Sequence, residues 1–282
     1  MAILAAAVGL AAASSHAVQH ASRTPRLEQP LPAVTPERPL AELAPATAPA
    51  AAETAPAFAL FETLRPLAPG LDADVLGMAL GARECALASG EVADVSRLAV
   101  IDYSLPSTEK RMWVFDLDAR TLLFAEHVAH GKNTGANMAT RFSNVEGSLQ
   151  TSLGLFTTAE TYQGGNGYSM RMDGLEPGFN DLARQRAIVV HGASYVNPDG
   201  ARSMGRLGRS FGCPAVRTAV ARQIIDTLKG GQMLFSYYPD DAWLASSPFL
   251  NCKAATSGLA AMSKASMLQA RAVADAGTRA RR

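Results

Sequence analysis

Apolar positions recur at two different periods along this chain, and the change of period divides it. Leu71, Val75, Met78, Leu80 and Leu87 form an approximate helical stripe, so Leu71–Leu87 is predicted to be a helix, with Gly90 as its stop. Phe58–Leu67 predicts a shorter helix ahead of it. The pattern then tightens. Arg97–Tyr103 (RLAVIDY), Arg111–Leu117 (RMWVFDL) and Thr121–His130 (TLLFAEHVAH) are rich in Val, Ile and Phe and predict strands, with turns at Ser104-Leu105-Pro106-Ser107 and Asp118-Ala119. Residues 131–180 are dense in Gly, Asn, Ser and Thr, which predicts loops and short strands laid over a sheet. Arg186–His191 (RAIVVH) is a further strand whose apolar run suits burial on both faces. Val216, Val220, Ile224 and Leu228 recur every four residues, so a helix is expected over Ala215–Lys229, ended by Gly230-Gly231. Met233–Tyr238 is a last strand. Strands dominate, with helices at the start and near the end, and no internal repeat stands out. The class is β-rich α+β.

Composition narrows the field. The chain has 282 residues, 48% of them hydrophobic and 18% charged, with a net charge of +1. These values exclude a fully disordered chain and a polytopic membrane protein, and they lend a nucleic-acid partner no support. The charge is uneven: residues 253–282 carry +5, residues 1–57 carry −1, and residues 58–252 carry −3. Residues 58–252 are read as the folded domain, with 58–90 as a helical lead-in. Ile3–Ala13 is an apolar run of 11 residues, too short to cross a bilayer, which needs roughly 20. It suits the apolar part of a secretory signal within residues 1–23, with Ser15-His16-Ala17 offering a cleavage site after Ala17. No Lys or Arg precedes the run, so either the true start lies upstream or the amino terminus alone supplies the positive charge. Thr24–Ala57 holds 8 Pro and 10 Ala and reads as an extended linker. From Lys253 onward the chain is a basic, Ala-rich tail. The expected setting is the periplasm or cell envelope, with no transmembrane span once the signal is removed.

Of three cysteines, Cys213 stands apart through its neighbours, Gly208-Arg209-Ser210-Phe211-Gly212-Cys213-Pro214. Pro214 occupies the place where the first residue of the 215–229 helix belongs, which makes Cys213 the residue capping that helix. A thiol there would feel the positive end of the helix dipole, and Arg206 and Arg209 would push the same way, toward thiolate. The N–H groups of Gly212 and Cys213 would face an oxyanion on an attacked carbonyl. The best base is His191, which ends a strand and is followed by Gly192, so that its ring emerges beside open space, and the intervening loop Tyr195–Arg209 is long enough to fold back. Its imidazole would hold the thiolate as an ion pair and later protonate a leaving amine.

His191-Gly192 followed by Ser210-x-Gly212-Cys213 resembles the active-site signature of the murein L,D-transpeptidase catalytic-domain family. The likeness extends through His130-Gly131-Lys132-Asn133-Thr134-Gly135, Phe142-Ser143-Asn144, Ser152-Leu153-Gly154, Gly174-Leu175-Glu176 and Gly205-Arg206-Leu207-Gly208-Arg209-Ser210. It runs from about Leu98 to Tyr238, half of the chain, and marks a variant branch. The resemblance implies a mixed β-sheet or sandwich core, with short N-terminal helices and a helix after the cysteine. It also implies a cysteine acyl enzyme acting on peptidoglycan stem peptides at a bond from an L-centre to a D-residue, and hence a target of carbapenems. Two departures stand out. Phe211 replaces the family's usual histidine, and Ala215 stands where Arg or Asn is usual, with Arg217 either the substitute or a structural surface residue.

Ser210, Arg209, Arg206, Gly192, His130, Arg217 and Tyr168 are the further candidates for lining a substrate cleft, and Asn144 also borders it. His127 and His130 are three apart, which on a strand points them to opposite faces, so neither a metal nor any other cofactor is expected. In an oxidising compartment Cys85 and Cys252 would join. The alternative is two separate thiols, and on either reading Cys213 is free. The function expected is transpeptidation with release of terminal D-alanine, the acceptor being a second stem or an envelope-anchored protein. Resolution of the same acyl enzyme by water would make it a carboxypeptidase or endopeptidase, and a peptidoglycan-binding module without turnover is the alternative of another class.

Overall fold

The computed structural model describes residues 56–253. The signal-like segment, nearly all of the Pro/Ala-rich linker and the basic tail lie outside the described residues. The chain opens with helix α1 (Pro56–Leu64), a 3₁₀ turn at Arg65–Leu67 and helix α2 (Ala73–Ser89). Asp72 caps α2 by accepting the N–H groups of Asp74 at 2.7 Å and Val75 at 3.4 Å. Gly90 ends it at φ +77, the left-handed conformation that glycine adopts without penalty. Both predicted N-terminal helices are therefore present within a few residues of their expected bounds.

Nine strands follow: β1 (Arg97–Asp102), β2 (Met112–Asp116), β3 (Thr121–Glu126), β4 (Val128–Ala129), β5 (Gly154–Gly164), β6 (Gly167–Gly174), β7 (Val189–Ala193), β8 (Ala215–Arg217) and β9 (Met233–Tyr237). They form one mixed sheet in the order β3-β2-β1-β9-β5-β6-β7-β8-β4. Only His127 separates β3 from β4, so a single bent stretch of chain supplies both ends of that order and the sheet curls into a near-barrel. Helices α3 (Pro198–Met204), α4 (Thr218–Leu228) and α5 (Asp241–Ser246) complete the described residues. No helix among them is long and apolar enough to cross a membrane.

Alternation along the strands sorts the core. Leu98, Val100, Phe235 and Tyr237 face a cluster built with α1, α2 and α5. Ala99, Ile101, Leu234 and Val190 face the other way, onto Ile224, Ile225 and Leu228 of α4. Burial on both faces explains why β1, β7 and β9 read as continuous apolar runs. Glu176 pins α5 down, accepting from the Trp243 indole and from the Leu155 N–H, each at 2.7 Å.

Cys85 and Cys252 form a disulfide across a separation of 167 residues, which joins α2 to the end of the described chain. Of the two readings the sequence left open, pairing is the one found. Closing so long a loop restrains the unfolded chain and contributes about 2–4 kcal/mol.

Three expectations need correction. Residues 131–180 contain the long β5–β6 hairpin, which is the middle of the sheet and not a layer over it. The 195–209 connection is not all loop, since Pro198–Met204 is helical. Most consequential, Ala215–Arg217 is a strand and the helix begins only at Thr218. Val216 fits either period, and here tertiary pairing decides: β8 lies between β7 and β4 and completes the backbone hydrogen bonding of both.

Candidate functional site

Cys213 stands where the chain enters β8, and His191 lies on the parallel neighbour β7, in register with Ala215. The two candidates thus sit on adjacent strands, offset by two residues, or about 7 Å along the strand direction. His191 occupies the middle of β7 rather than its end. Gly192 does not open a space beside it: a Cβ there would lie 2.8 Å from the Ala221 Cβ, so the glycine admits α4 against the sheet.

The imidazole is buried, and its Nδ1 lies 3.1 Å from the carbonyl oxygen of Gly192. A carbonyl only accepts, so Nδ1 carries the hydrogen and Nε2 keeps the lone pair. Burial holds the ring's pKa below its ordinary value, against a smaller opposite effect of the Gly192 carbonyl. The ring is therefore a neutral imidazole at neutral pH.

The turn that presents Cys213 is held by small polar side chains. Ser210 Oγ donates to the Cys213 carbonyl at 2.6 Å and accepts from the Gly212 N–H at 3.1 Å. Thr151 Oγ1 donates to the Gly212 carbonyl at 3.1 Å and accepts from the Gly131 N–H at 2.9 Å. Gly131 and Gly212 touch backbone to backbone: a Cβ on Gly131 would stand 2.4 Å from the Leu149 carbonyl oxygen and 3.0 Å from the Gly212 Cα. Gly212 itself sits at φ +130.

The thiol is buried and free, and it donates to the Ala187 carbonyl at 3.7 Å. Two expectations fail here. With no helix starting at Cys213, no helix dipole favours the thiolate. Burial instead pushes the thiol's pKa up, opposed by the Val189 N–H, the Arg186 charge and the cysteine's own N–H. In the free protein the Cys213 thiol and the His191 imidazole are thus each neutral, and the expected ion pair is not favoured. The Gly212 N–H is engaged by Ser210, so of the two N–H groups expected to face an oxyanion one already has a partner.

The other candidates scatter. His130 is buried, not at a cleft edge: its Nδ1 accepts from Arg111 at 2.9 Å, its Nε2 meets the Ala136 carbonyl at 3.1 Å, and burial with the Arg111 charge pushes its pKa down to about 4. Arg217 lies on β8, not on a helical turn, and makes a two-pronged ion pair with Glu126 at 2.5 and 2.8 Å. Tyr168 donates to Asp226 on α4 at 2.7 Å, with Arg222 over its ring. Arg209 braces a loop through the Lys132 and Gly135 carbonyls, and Arg206 bonds the Leu207 carbonyl. Asn144 bonds Asp181. Phe211 is 70% exposed at the lip of the site, with the Lys132 ammonium 4.7 Å from its ring centroid. Among the described residues, no three His, Cys, Asp or Glu side chains converge as a metal site would require.

Sequence reasoning missed Thr151, Ala187 and Arg186. Ala187 holds a left-handed backbone at φ +53, unusual for a residue with a Cβ, and strain of this kind clusters at functional sites. Nothing in the residue type announces it.

The L,D-transpeptidase catalytic domain family matches residues 67–237, a stretch that contains both His191 and Cys213. No curated protein matches the chain. Similar solved structures include an L,D-transpeptidase from Mycobacterium smegmatis, 15% identical, covering 51% of this chain and 59% of that one at a TM-score of 0.32. Another is an L,D-transpeptidase in complex with imipenem, 16% identical, covering 50% and 58% at a TM-score of 0.30. A third, from Stackebrandtia nassauensis, is 10% identical and covers 66% and 78% at a TM-score of 0.33. The chain spans less than two thirds of the length of the first two.

Proposed function

The chain belongs to the L,D-transpeptidase catalytic domain family, and from that premise we propose that it is an exported cysteine acyltransferase that cross-links peptidoglycan stem peptides. The observation that carries this reading is the family match across residues 67–237, which takes in both the nucleophile and the base. The tautomer of His191 supports it, because the lone pair on Nε2 is what a general base needs. The Cys85–Cys252 disulfide supports export, since such bonds persist in oxidising compartments.

In this mechanism Cys213 Sγ leaves the Ala187 carbonyl and attacks the carbonyl carbon of the L-centre of the third stem residue. Its proton passes to His191 Nε2 as the S–C bond forms, so no standing thiolate is required. The Cys213 N–H stabilises the tetrahedral oxyanion. The C–N bond to the terminal D-alanine then breaks, and the imidazolium returns the proton to the departing amine. An amine of a second stem attacks the thioester, His191 takes its proton, and the sulfur leaves and is reprotonated. Water in place of the amine would yield hydrolysis.

Full-length protein incubated with tetrapeptide muropeptides tests this by product mass. Cross-linked dimers lacking one D-alanine are expected, and none with Cys213→Ala. Unchanged cross-linking by that variant overturns the proposal, and trimmed monomers alone would identify a hydrolase.

A further inference from the structure

Arg186 precedes the strained Ala187, whose carbonyl receives the Cys213 thiol. Its guanidinium donates through Nη1 to the Ser143 carbonyl at 2.6 Å and to the Ser152 hydroxyl. Nη2 donates to Ser148 Oγ at 3.1 Å and to the Gln150 carbonyl at 2.7 Å. All four acceptors are neutral. Arg186 takes part in none of the ion pairs among the described residues. A half-buried charge without a counter-charge is costly to hold, and its field is correspondingly little damped. The same fork also reaches the other wall of the site. The Gln150 carbonyl oxygen that it holds lies 2.9 Å from where a Cβ on Gly212 would stand.

We propose that Arg186 is a positioning residue for the Cys213 nucleophile, its uncompensated charge favouring the sulfur anion released during turnover while its fork holds residues 143–152 against Gly212. This deepens the function proposed above and rests on Cys213 being the nucleophile. The electrostatics agree in direction, since burial lowers the Arg186 pKa and a charge on Cys213 raises it. The phenols of Tyr103 and Tyr195 also lie near the sulfur, and a charged Cys213 opposes their ionisation, while His191 lies on the adjacent strand β7. Arg111 lies over the Tyr103 ring. Arg111 is likewise in none of the ion pairs among the described residues, but of the two guanidiniums it is Arg186 whose charge bears on the thiol.

Cys213 is the free cysteine when Cys85 and Cys252 are joined, so alkylation of the unreduced full-length protein reads it alone. The test is the pH dependence of iodoacetamide alkylation, followed by intact mass. Arg186→Gln is expected to raise the apparent thiol pKa by about one unit, seen as roughly tenfold slower alkylation below that pKa. Arg186→Lys should fall between the Gln variant and the parent. Superimposable profiles for the parent and a folded Arg186→Gln overturn the proposal, because a purely structural role would lower turnover without moving the titration. Should Arg186→Gln not fold, Ser148→Asp sets a carboxylate against the intact guanidinium. The profile must then move the same way, and an unmoved one overturns the proposal. Alkylation needs no turnover, so a shifted profile without any cross-linking would retain Arg186 and end the transferase reading. Cross-linking with an unmoved profile would do the reverse.

Discussion

The Nδ1 of His191 stands 3.1 Å from the carbonyl oxygen of Gly192, its own neighbour in the chain. The ring is thus oriented by backbone, and no carboxylate is needed to fix its tautomer. This arrangement makes the pH dependence of acylation a test. In the proposed mechanism a neutral imidazole accepts the thiol's proton, and burial keeps His191 below its ordinary pKa of 6.5. Acyl-enzyme formation with a carbapenem, timed by intact mass, should hold its rate down to pH 6.5 and fall only below it. An acid limb at or above 6.5 would mean that burial does not hold the imidazole below its ordinary value, and would overturn this reading. His191→Gln should slow acylation by about 10²–10⁴-fold.

Contact between Gly131 and Gly212 predicts a steep steric penalty. Gly131→Ala drives a methyl against the Leu149 carbonyl, and Gly212→Ala adds a Cβ at φ +130. Each should cost about 2–4 kcal/mol in urea unfolding and abolish most acylation. Gly165→Ala, where a Cβ meets nothing within 4 Å, should leave the midpoint unchanged and serves as the control.

Glu126 and Arg217 predict a structural rather than a substrate effect. Their ion pair links the end of β3 to β8, and Arg217 is only partly buried. Arg217→Ala should lower stability by no more than about 1 kcal/mol and leave KM for muropeptides unaltered. In a double-mutant cycle with Glu126→Ala, the two losses should not add. A KM raised severalfold would return Arg217 to the substrate.

Phe211 carries the opposite expectation. An aromatic ring 70% exposed two residues before Cys213 has little packing to lose beyond its contact with Lys132. Phe211→Ala should leave the unfolding midpoint within about 0.5 kcal/mol. It should raise KM for stem peptides about three- to tenfold with little change in kcat. Unchanged KM would remove the ring from substrate binding.

Much of this architecture is legible in local pattern, and the failures share a cause. α2, β1 and β9 are legible because their apolar runs are buried, β1 and β9 on both faces and α2 through the unbroken buried stretch Val75–Ala82. β5 is different: Thr157, Thr158, Glu160 and Thr161 give no apolar run, and the strand exists because β9 and β6 lie on either side of it. α3 did carry a signal, with Asn197 accepting from the Asp199 and Gly200 N–H groups, Pro198 at its first turn and Gly205 beyond its end. At the site, Cys213 and His191 stand out through their neighbours, whereas the electrostatic sign does not. That sign follows from burial of the thiol, which no local pattern announces, and the pairing of residues 215–217 with β4 and β7 removes the helix start that was expected to oppose it. Arg186 was hidden for a similar reason: its partners are backbone carbonyls and serines 34 to 43 residues away.

The Cys85–Cys252 bond encloses all nine strands, and with them Cys213, His191 and Arg186, in one covalent ring. A protease that cuts any single loop inside that ring leaves two fragments that remain one molecule, heavier only by the water added. Such nicked protein would travel with the intact form on a non-reducing gel and separate only once a reductant is added. In a compartment with active proteases and little reducing power, the ring would hold the pieces of the site together after the backbone is broken.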